Sequence, residues 1–202
     1  MDRKTFFLFY LDGTITQEET LPLIAHKFNV KKQIDDLTIN TVMGNVPFIE
    51  SFIRRVNILK DIPFEDINNL LGNVRIHSVL CEFINLHKNN CAIVTGNLSC
   101  WISNLVSKIG VQAYSSVAQV NGHYVKKIQS IIKKEDIVKK YQNEGYKVVF
   151  IGDGNNDVEA MRIADISIAS SLIHSPVCGV ITTADYLVTS EKALCRILNQ
   201  LL

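Results

Sequence analysis

Three apolar runs in this chain each stop abruptly at a short polar group. Residues 5–11 stop at Asp12-Gly13-Thr14, residues 91–94 at Thr95-Gly96-Asn97, and residues 148–151 at Gly152-Asp153-Gly154-Asn155-Asn156-Asp157. Unbroken apolar runs of this kind are expected of strands buried on both faces of a parallel sheet. After the third run Val158, Met161 and Ala164 recur at helical spacing, so this stretch is strand, tight loop, helix. In an open parallel sheet ligands bind beyond the carboxyl ends of the strands, so folding is expected to bring the three polar groups to one rim.

The segment between the first and second runs has a different period. Over residues 16–28, Leu21, Ile24, Ala25 and Phe28 mark one face of a helix. Phe48, Phe52, Val56 and Leu59 mark a second helix, and Phe64, Ile67 and Leu71, between Pro63 and Gly72, a third. Strand and helix patterns alternate from there: a helix over 79–87, the strand 91–94, a helix ending at Gly110, a weaker strand over 113–117 and a polar excursion over 119–129 that turns at Asn121-Gly122. A basic amphipathic helix over 133–144, the strand 148–151, short β-like runs at 166–169 and 186–188, and a helix over 191–201 follow. The expected fold class is α/β: a doubly wound, Rossmann-like parallel sheet with a helical cap inserted after the first strand. Residues 1–14 and 77–202 make the expected core and 15–76 the cap.

At 202 residues the chain suits one domain with an elaboration. A net charge of +1, with no clustered Lys/Arg stripe, argues against nucleic acid or a membrane surface as a partner and for a small metabolite. The first apolar run is short and ends in Asp12, so it is expected to be a strand rather than a signal peptide, and no stretch has the length of a membrane span. Cys81, Cys91, Cys100, Cys178 and Cys195 show no Cys-x-x-Cys spacing, and are expected to be reduced, mostly buried thiols in a cytoplasmic protein. Oligomeric state stays open, a homodimer included.

Carboxylates, a hydroxyl and the lysines Lys133 and Lys134 at one rim are the groups that magnesium-assisted phosphoryl transfer uses. Their order along the chain resembles the four motifs of the haloacid-dehalogenase-like phosphatases, and the resemblance covers essentially the whole chain. Glu19-Thr20-Leu21 and residues 52–63 narrow it to the phosphoserine phosphatase branch. The resemblance implies a Mg2+-dependent phosphomonoesterase acting on a small phosphorylated metabolite. Asp12 would be the general acid/base, with its backbone carbonyl toward the metal. Thr95 and Gly96 would hold the phosphoryl group, Lys134 would neutralise its charge, and Asn156 would lie near it. Asp12, Asp153 and Asp157 would hold the metal, while Glu19 and Arg55 would reach the substrate from the cap. Plainer alternatives are a simple strand end at Thr95, a solvated lysine face, and surface charges at Glu19 and Arg55.

Two positions depart from the family pattern. Its first motif is Asp-x-Asp-Gly-Thr, and the nucleophilic first Asp is here Tyr10. A phenol with a pKa near 10 is protonated at neutral pH, and the change also removes a metal ligand and adds a bulky ring. Turnover and metal affinity are both expected to fall. Three explanations stand: a phosphatase with an altered nucleophile, a pseudo-enzyme that binds a phosphorylated ligand or a protein partner, and a different reaction that uses Tyr10 itself. The second departure is Asn97, where the phosphoserine branch usually has glycine, which puts phosphoserine itself in question as the substrate.

Overall fold

β1 (Thr5–Phe9), β2 (Cys91–Leu98), β3 (Gln112–Asn121), β4 (Tyr124–Ser130), β5 (Lys147–Gly152), β6 (Ile166–Ser170) and β7 (Tyr186–Val188) form one sheet in the order β4-β3-β2-β1-β5-β6-β7. All neighbours are parallel except β3 and β4. The computed structural model describes residues 3–42 and 45–202; Met1, Asp2, Met43 and Gly44, which fall within the expected core and cap spans, lie outside the described residues.

Every side chain of the central β1 is buried. Period-two alternation divides them between two layers. Phe7 and Phe9 join Ile93, Val149 and Ile151 in one apolar cluster, and Phe6 and Leu8 join Val94, Val148 and Phe150 in the other. The first cluster is covered by α1 (Thr20–Lys27), α3 (Phe48–Leu59), α4 (Phe64–Gly72), α5 (Ser78–Leu86), α6 (Ser99–Ile109) and α10 (Glu191–Gln200); Ile34 of α2 (Lys31–Val42) is also buried. The second is covered by α7 (Lys134–Asn143), α8 (Val158–Ile163) and α9 (Cys178–Ile181). Helices on both faces of a parallel sheet make this the doubly wound α/β fold expected from the alternation.

Several boundaries moved, each for a local reason. The helix expected over 16–28 begins at Thr20, because Thr16 pairs with Ile76 in an antiparallel bridge and donates its hydroxyl to the Glu18 carbonyl at 2.8 Å. Helix α2 has no counterpart in the sequence reading; its polar composition carries a weak apolar stripe. Strand β2 runs through Thr95-Gly96-Asn97 to Leu98, with a register shift between Thr95 and Leu98 that re-aims this polar group within the strand. The polar excursion is a full hairpin whose tip, Gly122 at φ +58, allows Asn121 to pair with Tyr124. Its His123 carbonyl accepts from the Phe64 amide at 2.9 Å, which ties the hairpin to the start of α4. All five cysteines are free; Cys81, Cys91 and Cys195 are buried, Cys100 is half-buried and Cys178 is exposed. Among the described residues no helix is long and apolar enough to cross a membrane.

Candidate active site at the carboxyl rim

Directly after β1, the Tyr10 amide donates to the Ile151 carbonyl at 2.8 Å, so the strand geometry persists through position 10. Lys134, the first residue of α7, places its Nζ 3.7 Å from the centroid of the Tyr10 ring, a cation–π contact. Burial, with the Asp12, Glu19, Asp157 and Asp153 carboxylates nearby, pushes the Tyr10 phenol well above its ordinary range. The phenolate is therefore strongly disfavoured there.

Asp12 is 4% exposed, and both of its oxygens are engaged. Oδ1 accepts from the Thr20 amide at 3.1 Å and from the Thr20 hydroxyl, and Oδ2 accepts from Asn97 Nδ2 at 2.9 Å. Burial and the Glu19 charge nevertheless raise its pKa to about 6, against the pull of the Thr20 hydrogen bonds and Lys134. Asn97 Nδ2 also lies 3.3 Å from Thr95 Oγ1, and the Asn97 amide donates to that same oxygen at 3.2 Å. The Thr95 hydroxyl is thus turned to Asn97.

The turn after β5 is built differently. Asp157 is fully buried; its Oδ2 accepts from the Asp153 and Gly154 amides at 3.2 and 3.0 Å, and its Oδ1 meets Lys134 Nζ at 2.5 Å. Gly152 permits this closure, since a Cβ there would lie 2.6 Å from Asp157 Cγ. Asp153 is 3% exposed, yet its Oδ1 has no hydrogen-bond partner among the described residues. Its pKa rises to about 8 through burial and the Asp157 and Glu19 charges. Its Oδ2 lies 3.1 Å from His174 Nε2, in the loop after β6, and the same nitrogen lies 2.9 Å from Glu19 Oε1. That hydrogen bond to Glu19, with help from the Ser175 carbonyl and Asp153, raises the His174 pKa to about 9.

Tyr10, Asp12, Gly96, Asn97 and Asn156 line one side of a cavity of about 110 Å³, and Glu19, Phe48, Phe52 and Arg55 close it from the helical segment. That volume is well below the roughly 300–1,000 Å³ of pockets for drug-sized ligands. An adjoining cavity of about 230 Å³ shares Phe48, Phe52, Gly96 and Asn156 and reaches Lys134. Arg55 is 7% exposed, donates to Thr38 Oγ1 at 3.1 Å and leaves Nε unpartnered. Its neighbour Arg54 instead faces solvent and pairs with Glu50 at 2.5 Å.

A family model described as haloacid dehalogenase-like hydrolase matches residues 7–162. The chain belongs to this family. It is similar to the phosphoserine phosphatase of Methanocaldococcus jannaschii, with 27% identity over 83% of this chain and 85% of the relative. The Lactococcus lactis phosphoserine phosphatase is 24% identical, over 84% of each chain. Among solved structures, a phosphoserine phosphatase described as a phospho-aspartyl intermediate analogue superposes with a TM-score of 0.81 at 22% identity, covering 97% of this chain and 99% of that one, which is a likeness of fold.

As a member of this family, the chain gathers Tyr10, Asp12, Glu19, Arg55, Gly96, Asn97 and Asn156 at one cavity, with Lys134 at the next. Thr95, Asp153 and Asp157 do not line that cavity. Lys133 is exposed, and Lys134 is the lysine turned inward. The ligand atoms that converge within 4.8 Å among the described residues come from Glu19, Asp153 and His174. This set shares only Asp153 with the trio Asp12, Asp153 and Asp157; Thr20 and Asn97 donate to Asp12, and Lys134 and two amides to Asp157. The orphaned Asp153 Oδ1 fits a divalent cation at this end of the site. His174 carries no signal of its own in the sequence, and Thr20 stands there only as part of Glu19-Thr20-Leu21, without the role it has on Asp12. The run 166–169 was recognised as β-like, and treating its carboxyl end as a fourth rim loop would have pointed to His174.

Proposed function

We propose that the chain is a scaffold of the phosphoserine phosphatase type for small phosphomonoesters, and that its covalent route is closed at Tyr10, leaving hydrolysis absent or strongly impaired. The observation that carries this reading is the Tyr10 ring lodged against Lys134 Nζ in the cavity that Asp12 also lines. Residues 15–76 act as a cap over the core 1–14 and 77–202, with Arg55 and Glu19 reaching inward from it.

The remaining parts suit a phosphoryl group. Arg55, buried with an unpartnered Nε, and Lys134 offer positive charge to a phosphate dianion, and Gly96 and Asn156 line the same space. Asp12, with its pKa raised to about 6, can hold a proton near neutral pH and give it to the leaving alkoxide, then take one from water. Asn97 and Thr20 hold that carboxyl in place. Mg2+ bound at Asp153, with Asp12 and Asp157 alongside, would offset phosphoryl charge. The missing step is attack on phosphorus. It needs an anionic nucleophile, and the Tyr10 phenol is pushed away from ionisation.

The same stacking favours a second reading: a non-catalytic protein that binds a phosphorylated ligand, or a protein partner, without turnover. Steady-state hydrolysis of a panel of small phosphomonoesters with Mg2+, for the chain beside Tyr10→Asp, separates the two. Turnover by the variant alone supports a phosphatase disabled at one side chain. No turnover by either folded protein rules out the phosphatase reading.

A further inference from the structure

We propose that the larger cavity beside the phosphoryl site takes the organic group of the ligand, and that this group is uncharged and apolar, a short alkyl chain or a single ring. The ligand class is then an apolar phosphomonoester rather than a phosphorylated amino acid. The inference rests on the phosphomonoester reading above and deepens it by naming the half of the ligand that the motifs do not specify. It does not require turnover.

Three observations support it. First, the two cavities meet: Phe48, Phe52, Gly96 and Asn156 line both. A Cβ on Gly96 would stand 3.9 Å from Phe48 Cζ and 4.0 Å from Asn156 Nδ2, so the bare glycine leaves room at the junction. Arg55 lines the smaller cavity and Lys134 the larger, so a phosphate at the junction has a cation on either side. Second, the cap groups that would read the charges of an amino acid are engaged. Glu19 Oε1 is bonded to His174 at 2.9 Å, and Arg55 donates to Thr38 Oγ1 at 3.1 Å, which leaves its unpartnered Nε for the phosphate. Asn97 Nδ2 is likewise committed to Asp12 at 2.9 Å. An ammonium and a carboxylate brought here would lose water without gaining free partners, which is costly.

Third, the larger cavity has an apolar wall. Phe48 and Phe52, one turn apart on α3, line it with Ile49 between them in sequence, and Ile131 and Ile132 line it from the segment between β4 and α7. The Ile132 amide donates to Ser116 Oγ at 3.2 Å, which fixes that segment against β3. Ile49 is 55% exposed and Phe48 half-buried, so apolar surface stands open beside the site. Besides Lys134, the charged lining residues are Lys133, Glu135 and Glu159, and a carboxylate on the ligand would meet the two glutamates. The cavity's volume of about 230 Å³ lies below the roughly 300 Å³ at which drug-sized pockets begin, which limits the occupant to a short chain or one ring.

Isothermal titration calorimetry on the unaltered chain with Mg2+ tests the proposal, using inorganic phosphate, methyl, ethyl, propyl and butyl phosphate, and O-phosphoserine. Each carbon buried in the cavity should tighten binding about fourfold, so butyl phosphate should bind at least ~10-fold more tightly than methyl phosphate or O-phosphoserine. Ile49→Asn, at a largely exposed position, and Phe48→Ala should each lower the gain from methyl to butyl by about fourfold or more, the equivalent of one buried CH2. Affinity that stays flat along the series while inorganic phosphate binds, or O-phosphoserine binding as tightly as butyl phosphate, overturns the proposal and leaves the phosphomonoester reading standing. A gain undiminished in both variants overturns it too, because the hydrocarbon then lies elsewhere. Binding of no phosphate at all, inorganic phosphate included, overturns both.

Discussion

Asp12 and Asp153 sit past the ends of adjacent strands and are almost equally buried, at 4% and 3% exposed, yet their surroundings differ. Asp12 receives hydrogen bonds on both oxygens, and its pKa stops at about 6. Asp153 keeps one oxygen without a partner, and its pKa reaches about 8. Burial alone therefore does not set the character of a carboxylate here; the Thr20 donors hold Asp12 down, and the adjacent Asp157 charge lifts Asp153 further. The donor-rich β1 side is a finished structural network. The β5 side carries Lys134 on Asp157 and His174 beside Asp153, yet leaves Asp153 Oδ1 open, as expected of a place where a cation binds.

The contrast can be broken most forcefully at Asp157, which owes its satisfied state to Lys134. Replacing Lys134 by Met leaves a fully buried carboxylate without its cation, and the loss of one partner of a buried pair costs about 3–5 kcal/mol. Urea unfolding should show a loss of that size; a loss below about 1 kcal/mol would contradict the buried pairing. On the β1 side, Asn97→Ala removes a donor from Asp12 and should cost about 1–3 kcal/mol. It should also raise the Asp12 pKa further above about 6, toward the behaviour of Asp153, which carboxyl NMR can follow.

The pH dependence is the next effect in size. Unfolded Asp and His titrate near 3.9 and 6.5. Asp153, raised to about 8, holds a proton in the native state that the unfolded chain has released between about pH 4 and 8. His174, raised to about 9, does the same between about pH 6.5 and 9. Both make stability fall as pH rises through these windows, by at most about 1.4 kcal/mol per pH unit for each proton, and less for the partly exposed histidine. In the presence of a chelator, unfolding at pH 5, 7 and 8.5 should show the decline, and Asp153→Asn should flatten it between pH 6 and 8. A stability that increases equally in both proteins would contradict the raised pKa of Asp153. The smallest effect belongs to Lys133→Ala, one residue from Lys134 but exposed, which should stay within about 0.5 kcal/mol in the same unfolding measurement.

The sheet was legible because its central strands are buried on both faces and carry unbroken apolar runs. The helix α2 was not, since its polar composition leaves only a weak stripe. At the rim, motif spacing identified Asp12, Asp153 and Asp157 but could not tell which oxygens were already taken; that depends on Asn97, Thr20 and Lys134, which meet only in the folded chain. Arg54 and Arg55 are indistinguishable by type, and the rotation of α3 buries only the second. His174 escaped notice because its partners are distant in sequence and its own loop has no periodic signal.

Whether Tyr10 closes the covalent route can be decided by rapid acid quench and intact-mass measurement after mixing with Mg2+ and acetyl phosphate, a small reactive phosphoryl donor. Tyr10→Asp should acquire the mass of one phosphoryl group, and the unaltered chain and Tyr10→Asn should not. A phosphoryl adduct on the unaltered chain, or none on a correctly folded Tyr10→Asp protein, would contradict the assignment of position 10 as the disabled nucleophile site.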